Sequence, residues 1–401
     1  MSSTRAVEQP PTATRSAVLL AVTLLVVAAN LRPTITALGP VLDQVGADTG
    51  LGATALGVLG AVPLLAFAVV SPLVHLLGRR WGQDRTVFVA TLLLIAGTVW
   101  RSWPGPTANL WLGTVLLGAS IAVCNVLVPA LVKRDFPDEV PVMTGAYSAV
   151  LGTSAALASG VALPLAEIGG WRVAIGGWGV LSVLAALAWL PRLQRQDHAP
   201  TTRASDVADR RPTVWRSGTA WWVTAFMGTQ AATFYLLVTW LPSVQAANGV
   251  GPARAGWNLF LYQAVGIVAG LGVSVLMRGR RDHRLVGALV SVALIVAMIG
   301  LLALPGWSLL WIALAGSSGG SSLVVALALI GERARDAATA SRLSGMAQSI
   351  GYAVAAAGPI GAGVLFELTG SWAYPLLAVL GVGVLQLVVA LVAGRDRYVG
   401  D

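Results

Sequence analysis

Long apolar stretches alternate with short polar ones along the whole chain. A helix crossing the hydrocarbon layer of a bilayer needs about 20 mostly apolar residues. Twelve stretches have that length: 17–40, 51–77, 86–104, 108–132, 143–166, 170–191, 217–244, 253–277, 284–304, 307–331, 343–366 and 371–394. Residues 192–216, rich in Arg, Asp, Thr and Pro, are the longest polar stretch after the N-terminus and divide the segments six and six. The pattern predicts an all-α membrane protein with 12 transmembrane helices in two six-helix bundles. An N-terminal bundle covers 1–191, a cytoplasmic linker 192–216 and a C-terminal bundle 217–401. The first stretch does not fit a cleaved signal peptide: it is too long, it contains Arg32, and acidic Asp43 follows Gly39-Pro40.

Composition agrees. Hydrophobic residues are 56% of the chain and charged residues 11%, against roughly 25% charged in soluble domains. The mean hydropathy is +0.77, so lipid must be part of the solvent. A net charge of +9 could point to nucleic acid, but the basic residues lie in short loops between apolar runs, and no nucleic-acid partner is expected. Basic residues instead set orientation, because cytoplasmic loops carry the excess of Lys and Arg. With the N-terminus inside, 22 of the 26 fall on the cytoplasmic side, and only Arg101, Arg172 and Arg254 fall outside. The expectation is a multi-pass protein of the bacterial cytoplasmic membrane with both termini cytoplasmic. Trp100, Trp103, Trp111, Trp171, Trp307 and Trp372 read as interfacial anchors.

Arg32 is the remaining basic residue, set well inside the first segment beside Pro33. An arginine at mid-membrane depth costs roughly 2.5–3.5 kcal/mol on insertion scales. No acidic residue reaches that depth in any segment, so the missing negative charge is expected to arrive with a substrate. The planar fork of N–H groups on Arg32 suits a carboxylate, cyanate or nitro group.

The two halves share a local pattern. Gly145, Glu167 and Gly170 each recur 200 residues on, as Gly345, Glu367 and Gly370. Two six-helix repeats around a midplane site describe a secondary-transporter architecture. Both glutamates fall near outer helix ends, where a water-facing interfacial carboxylate is the expected role.

Further motifs carry a resemblance. The first segment holds Asn30-Leu31-Arg32-Pro33 and Gly39-Pro40; the fourth runs from Asn125-Val126-Leu127-Val128-Pro129 into Lys133-Arg134-Asp135-Phe136-Pro137. The seventh holds Gly228-Thr229-Gln230, Tyr235 and Trp240-Leu241-Pro242; the eleventh holds Ser344-Gly345, Gln348, Gly351-Tyr352, Gly358-Pro359 and Gly370-Ser371-Trp372. This ordered set resembles the cyanate transporter and 2-nitroimidazole transporter family of the major facilitator superfamily. The resemblance implies secondary transport of small polar or anionic solutes, by uptake in some members and export in others. One departure concerns the loop between helices 2 and 3, where the family's Asp three residues before Gly is replaced: Arg79 precedes Gly82, with Gln83-Asp84-Arg85 after it. A gating ion pair of the usual form is therefore in doubt. The antiporter pattern Gly-Pro-x-x-Gly-Gly is absent from the fifth helix.

The expected substrate-binding residues are Arg32, Asn30, Asn125, Gln230, Tyr235, Gln348 and Tyr352. All but Asn125, on the fourth segment, belong to segments 1, 7 and 11, and they are expected to line one central cavity. Gln348 and Tyr352, four residues apart, share a helix face. Buried amides and phenols also serve plain packing, and Asn30 suits helix–helix hydrogen bonding equally.

Other chemistries find no residues. The single lysine, Lys133, lies in no Gly-x-x-x-x-Gly-Lys loop, so ATP-driven pumping is not expected. One cysteine, Cys124, and three histidines at or beyond segment ends offer no metal cluster. No enzyme activity, cofactor or metal is expected. A flux-free sensor would carry a sizeable soluble domain, and none is visible. The function expected is secondary active transport of a small anionic or polar organic solute by alternating access, with efflux of a nitroimidazole-type toxic compound as the alternative. The partners are that small molecule, the lipid bilayer and a coupling ion, a proton or another, for a chain acting as a monomer.

Overall fold

The computed structural model describes residues 11–193 and 214–400, and among these every regular element is helical. In chain order these are α1 (Pro11–Asn30), α2 (Pro33–Thr36), α3 (Leu38–Thr49), α4 (Ala53–Val70), α5 (Val74–Trp81), α6 (Gln83–Ser102), α7 (Ala108–Asp135) and α8 (Val140–Gly176). Then follow α9 (Gly179–Leu193), α10 (Gly218–Ala247), α11 (Pro252–Met277), α12 (Arg284–Ala303), α13 (Ser308–Glu332), α14 (Ala337–Thr369) and α15 (Ala373–Ala393). They make twelve crossings in two six-helix bundles. Most of the polar stretch 192–216 lies outside the described residues.

The expected segments survive with two physical corrections. The first crossing is not one helix: α1 ends at Asn30, Arg32 sits in the break, and α2 and α3 carry the chain on to Thr49. Pro33 explains the break, since it has no N–H to donate back into α1 and its ring disfavours helical backbone before it. The fifth and sixth crossings join with almost no loop. Helical backbone runs through α8, interrupted at Gly169 (φ −151°) and Gly170 (φ +75°), and resumes to the turn before α9. Gly370, the counterpart of Gly170 in the second half, is also left-handed at φ +65°, a conformation that favours glycine.

Ten helical stretches are long and apolar enough to cross a membrane on their own. The two crossings outside that set are α9, only 15 residues long, and α10, which is long but diluted with Thr and Gln. Those polar groups are buried inside the protein. Thr224, Thr229, Gln230, Thr233 and Thr239 are all buried, and the Thr224 and Thr229 hydroxyls donate to the carbonyls of Ala220 and Ala225 at 2.8 and 2.9 Å. A polar helix is thus stable in the bilayer because its neighbours, not lipid, surround it.

The halves share one buried core at the end away from the basic loops and a second that reaches Tyr235 in mid-membrane. One buried core joins Val41, Leu42 and Leu59 of the first half to Trp240, Leu241, Leu259 and Ala362 of the second. At the basic end the second half keeps its own core, built from residues such as Phe226, Met277, Leu329 and Leu343, with no residue of the first half in it. Glycines make the contact of α4 with α14 close: a Cβ on Gly57 would lie 2.4 Å from the Pro359 carbonyl oxygen, and one on Gly363 2.3 Å from that of Ala53. Small residues let helix backbones approach in this way.

Two of the expected interfacial tryptophans are instead packed into this closed end. Trp171 is buried and donates to Asp48 at 3.1 Å. Trp372 stacks on Phe366 at 4.2 Å and packs on Trp240 at 5.0 Å. Trp100, Trp103 and Trp307 remain exposed, as anchors would be.

Candidate functional site

Arg32 emerges from the break in the first crossing and reaches across to the second half. Its Nη1 donates to the phenol oxygen of Tyr235 on α10, and its guanidinium carbon lies 5.8 Å from the centre of that ring. Tyr352 on α14 stands beside them, its ring 6.4 Å from that of Tyr235 and 5.3 Å from that of Phe67 on α4. Phe234 continues the series at 5.2 Å from Tyr235. Tyr235 is buried, while Arg32 and Tyr352 are half-buried. The guanidinium makes no contact with a carboxylate among the described residues. The groups nearest its charge include phenols: that of Tyr235, to which it donates, and that of Tyr352 beside it.

The structure thus brings Arg32, Tyr235 and Tyr352 together. Gln348 lies one turn before Tyr352 on α14, half-buried, with its amide donating to Ser344 Oγ at 2.8 Å. Asn125 on α7 is half-buried, and its amide has no hydrogen-bond partner among the described residues. Two expected members of the cavity are engaged elsewhere. Asn30 donates to the carbonyls of Val26 and Leu181 at 2.7 and 3.3 Å and accepts from Ser182 Oγ at 2.8 Å. It ties α1 to α9, the helix–helix role. Gln230 is buried and donates within its own helix to the Met227 carbonyl at 3.2 Å.

Several charged groups have partners that the sequence pattern does not reveal. Arg101, expected outside the membrane, is 2% exposed and donates to the Ile175 carbonyl at 3.2 Å. Arg192, expected in the linker, is 2% exposed at the end of α9. It donates to Asp84 at 2.7 Å, to Asp135, and to Thr23 at 3.1 Å, with its guanidinium 4.5 Å from the Trp189 ring. Arg134 meets the same two aspartates at 2.6 and 2.8 Å. Asp84 therefore supplies a charge network at the basic end of the first half, despite the altered loop. Glu367, expected to face only water, accepts the Thr54 backbone N–H at 2.8 Å; Glu167 has no hydrogen-bond partner among the described residues. Tyr147 and Phe67 are the members of the Arg32 cluster that sequence reasoning missed. Their one signal is an aromatic residue away from the ends of an apolar segment.

Twelve helical crossings in two bundles, with a half-buried arginine between them, define a membrane transporter. The chain matches the sequence model of the Major Facilitator Superfamily over residues 20–356 and belongs to that superfamily. It is 37% identical to the 2-nitroimidazole transporter of Escherichia coli (strain K12) over 96% of this chain and 98% of that one. It is 25% identical to the cyanate transport protein CynX of the same strain, over 91% of this chain and 95% of that one. In fold it is similar to the crystal structure of a bacterial homologue of the human lysosomal transporter Spinster, in an inward-facing and occupied conformation. The TM-score is 0.77 at 16% identity, covering 96% of this chain and 99% of that one. The resemblance read from the motifs is borne out.

Proposed function

We propose that this protein is a secondary active transporter that moves a small anionic or polar organic solute across the cytoplasmic membrane, with Arg32 as the anchor of the solute. One observation carries the proposal: a guanidinium between the two halves, bonded to Tyr235 of the opposite half and facing no carboxylate among the described residues. A cation in that position keeps its insertion cost unless an anion or strong acceptor arrives. Alternating access follows from closure of the halves at one end, with 1–191 and 217–401 moving as bundles about the 192–216 tether. The basic loops favour cytoplasmic termini, which makes the end joined by Val41, Leu59 and Trp240 the outer one. Asn125, Gln348 and Tyr352, half-buried with polar groups available, complete the binding wall. Export of a nitroimidazole-type compound is the second reading, favoured by the name of the 37% identical relative.

The test is flux in proteoliposomes of purified protein, with labelled cyanate, benzoate and 2-nitroimidazole as probes under imposed proton and sodium gradients. Flux above that of protein-free vesicles, lost in Arg32→Ala, is expected. Folded wild-type protein that moves none of the probes, or an Arg32→Ala protein that moves them normally, overturns the proposal.

A further inference from the structure

Four of the six tyrosines of the chain, Tyr147, Tyr235, Tyr262 and Tyr352, lie within the membrane helices away from their ends. Tyrosine in membrane proteins is enriched at the two interfaces, where its hydroxyl meets water. Here three of these rings, Tyr235, Tyr262 and Tyr352, form a continuous series with Phe67 and Phe234 instead. Phe67 meets Tyr352 edge-on at 5.3 Å, Tyr352 meets Tyr235 at 6.4 Å, Tyr235 meets Phe234 at 5.2 Å, and Phe234 meets Tyr262 at 5.9 Å. The series crosses from α4 of the first half to α14, α10 and α11 of the second. Arg32 lies against its middle.

Two properties of this cluster restrict what can occupy it. The first is charge. Arg32 is the cation bonded into this cluster, while two other buried arginines of the membrane helices are held elsewhere, Arg101 on the Ile175 carbonyl and Arg192 on Asp84 and Asp135. One positive charge neutralises one negative charge; a dianion would leave an uncompensated charge at membrane depth. The second is surface. Tyr352 and Tyr147 are half-buried near the half-buried guanidinium, so aromatic rings form part of the surface left open beside the cation. A small inorganic or aliphatic anion would satisfy the guanidinium and leave these rings unfilled. A ligand ring can take edge-to-face and offset contacts with centroids 4.5–7 Å apart, beyond the gain from burying its area.

We infer that the Arg32 site takes a planar aromatic monoanion, an arenecarboxylate, with the carboxylate on the guanidinium and the ring against Tyr147 and Tyr352. This inference rests on the proposed role of Arg32 as anchor and adds the class of solute. The Tyr235 hydroxyl, already bonded to Nη1, fixes the guanidinium plane, so the ligand meets a preset fork.

The experiment is ligand binding to the purified full-length protein, by thermal shift and calorimetry, with benzoate, benzamide, terephthalate, acetate and cyanate. Benzoate is expected to bind at least tenfold more tightly than acetate or cyanate. Benzamide, which keeps the ring and loses the charge, and terephthalate, which adds a second charge, should each bind at least tenfold more weakly than benzoate. Tyr352→Ala should weaken benzoate at least tenfold more than it weakens acetate or cyanate; Tyr352→Phe, which keeps the ring, should keep the preference for benzoate over acetate. Equal affinity for benzoate and acetate in wild-type protein overturns the aromatic class and leaves the anion anchor standing, as does a uniform loss for all anions in Tyr352→Ala. Benzamide binding as well as benzoate, with Arg32→Lys unchanged toward every anion, overturns the anchor itself. The wild-type series decides even where a variant fails to fold.

Discussion

The Glu367 carboxylate on α14 accepts the backbone N–H of Thr54 at 2.8 Å, across 313 residues of sequence. Thr54 lies in the first turn of α4, where backbone N–H groups have no partner within the helix. Gly52, the residue that caps α4, offers no side chain of its own, and a Cβ there would come within 3.2 Å of the Glu367 carboxylate. One half of the protein thus caps a helix of the other, and the negative charge meets the positive end of the α4 dipole. Glu167, at the matching position of the first half, makes no such bond. Glu367→Ala is therefore expected to loosen closure at this end, and Glu167→Ala is not. A cysteine placed at Ser243, buried at the same end, reports the difference through its rate of thiol labelling, with buried Cys124 as the single native thiol. Equal labelling rates in the two glutamate variants would sink the idea.

Close approach of the halves sets a second expectation. A Cβ on Gly57 would collide with the Pro359 carbonyl at 2.4 Å, whereas one on Gly145 would meet nothing within 4 Å. Both positions are helical. Overpacking a tight contact costs about 1–3 kcal/mol. Gly57→Val should lower the melting temperature of the purified protein and raise the accessibility of a cysteine at position 243. Gly145→Val should change neither. The same response from both would mean that helix propensity, not the contact of the halves, sets the effect.

The extent to which this architecture is legible in the sequence follows from where each partner comes from. Hydropathy over 20 residues is a property of one segment, so the crossings are readable, even α10, whose buried Thr and Gln dilute the signal without shortening the run. The break at Arg32 is readable too, because Pro33 adjoins it. What Arg32 touches is not: Tyr235 is 203 residues away, and no periodicity links the two. The same limit explains Glu367, whose partner is a backbone N–H invisible in a list of side chains. It also explains Arg101 and Arg192. Both fall at segment ends, where arginine ordinarily faces water, and only the neighbouring helices decide that they are covered. Asn30 shows the converse. Its depth suggested a ligand group, but Leu181 and Ser182 of α9 take up its amide.

Arg192 provides a third test. Its guanidinium is 2% exposed and joins Asp84 to Asp135, binding the ends of α6, α7 and α9. Removing one partner of a buried charge cluster leaves uncompensated charge and costs about 3–5 kcal/mol. Arg192→Met should therefore cause a large fall in melting temperature. Arg284→Met, which removes an exposed pair with Asp282, should cause no measurable change. Restoring the balance with Asp135→Asn in the Arg192→Met background should recover part of the loss. A stable Arg192→Met protein would show that Arg134 alone suffices for both aspartates.

The last prediction separates anchoring from architecture at Arg32. The Tyr235 hydroxyl is buried and takes a hydrogen bond from the guanidinium. Arg32→Met removes the costly charge but strands that hydroxyl, and an unsatisfied buried polar group costs about 1–3 kcal/mol. Arg32→Met/Tyr235→Phe removes both members of the pair and should be more stable than Arg32→Met alone. Arg32→Lys keeps the charge and loses the planar fork, so benzoate affinity should fall, by about tenfold for each 1.4 kcal/mol lost. Both proteins lacking the charge should lose benzoate binding, whatever their stability. Measuring melting temperature and affinity on the same preparations decides the matter. Wild-type affinity in the double variant would rule out Arg32 as the solute anchor, while loss of affinity in a double variant that melts at or above the wild-type temperature would assign the cost of Arg32 to binding.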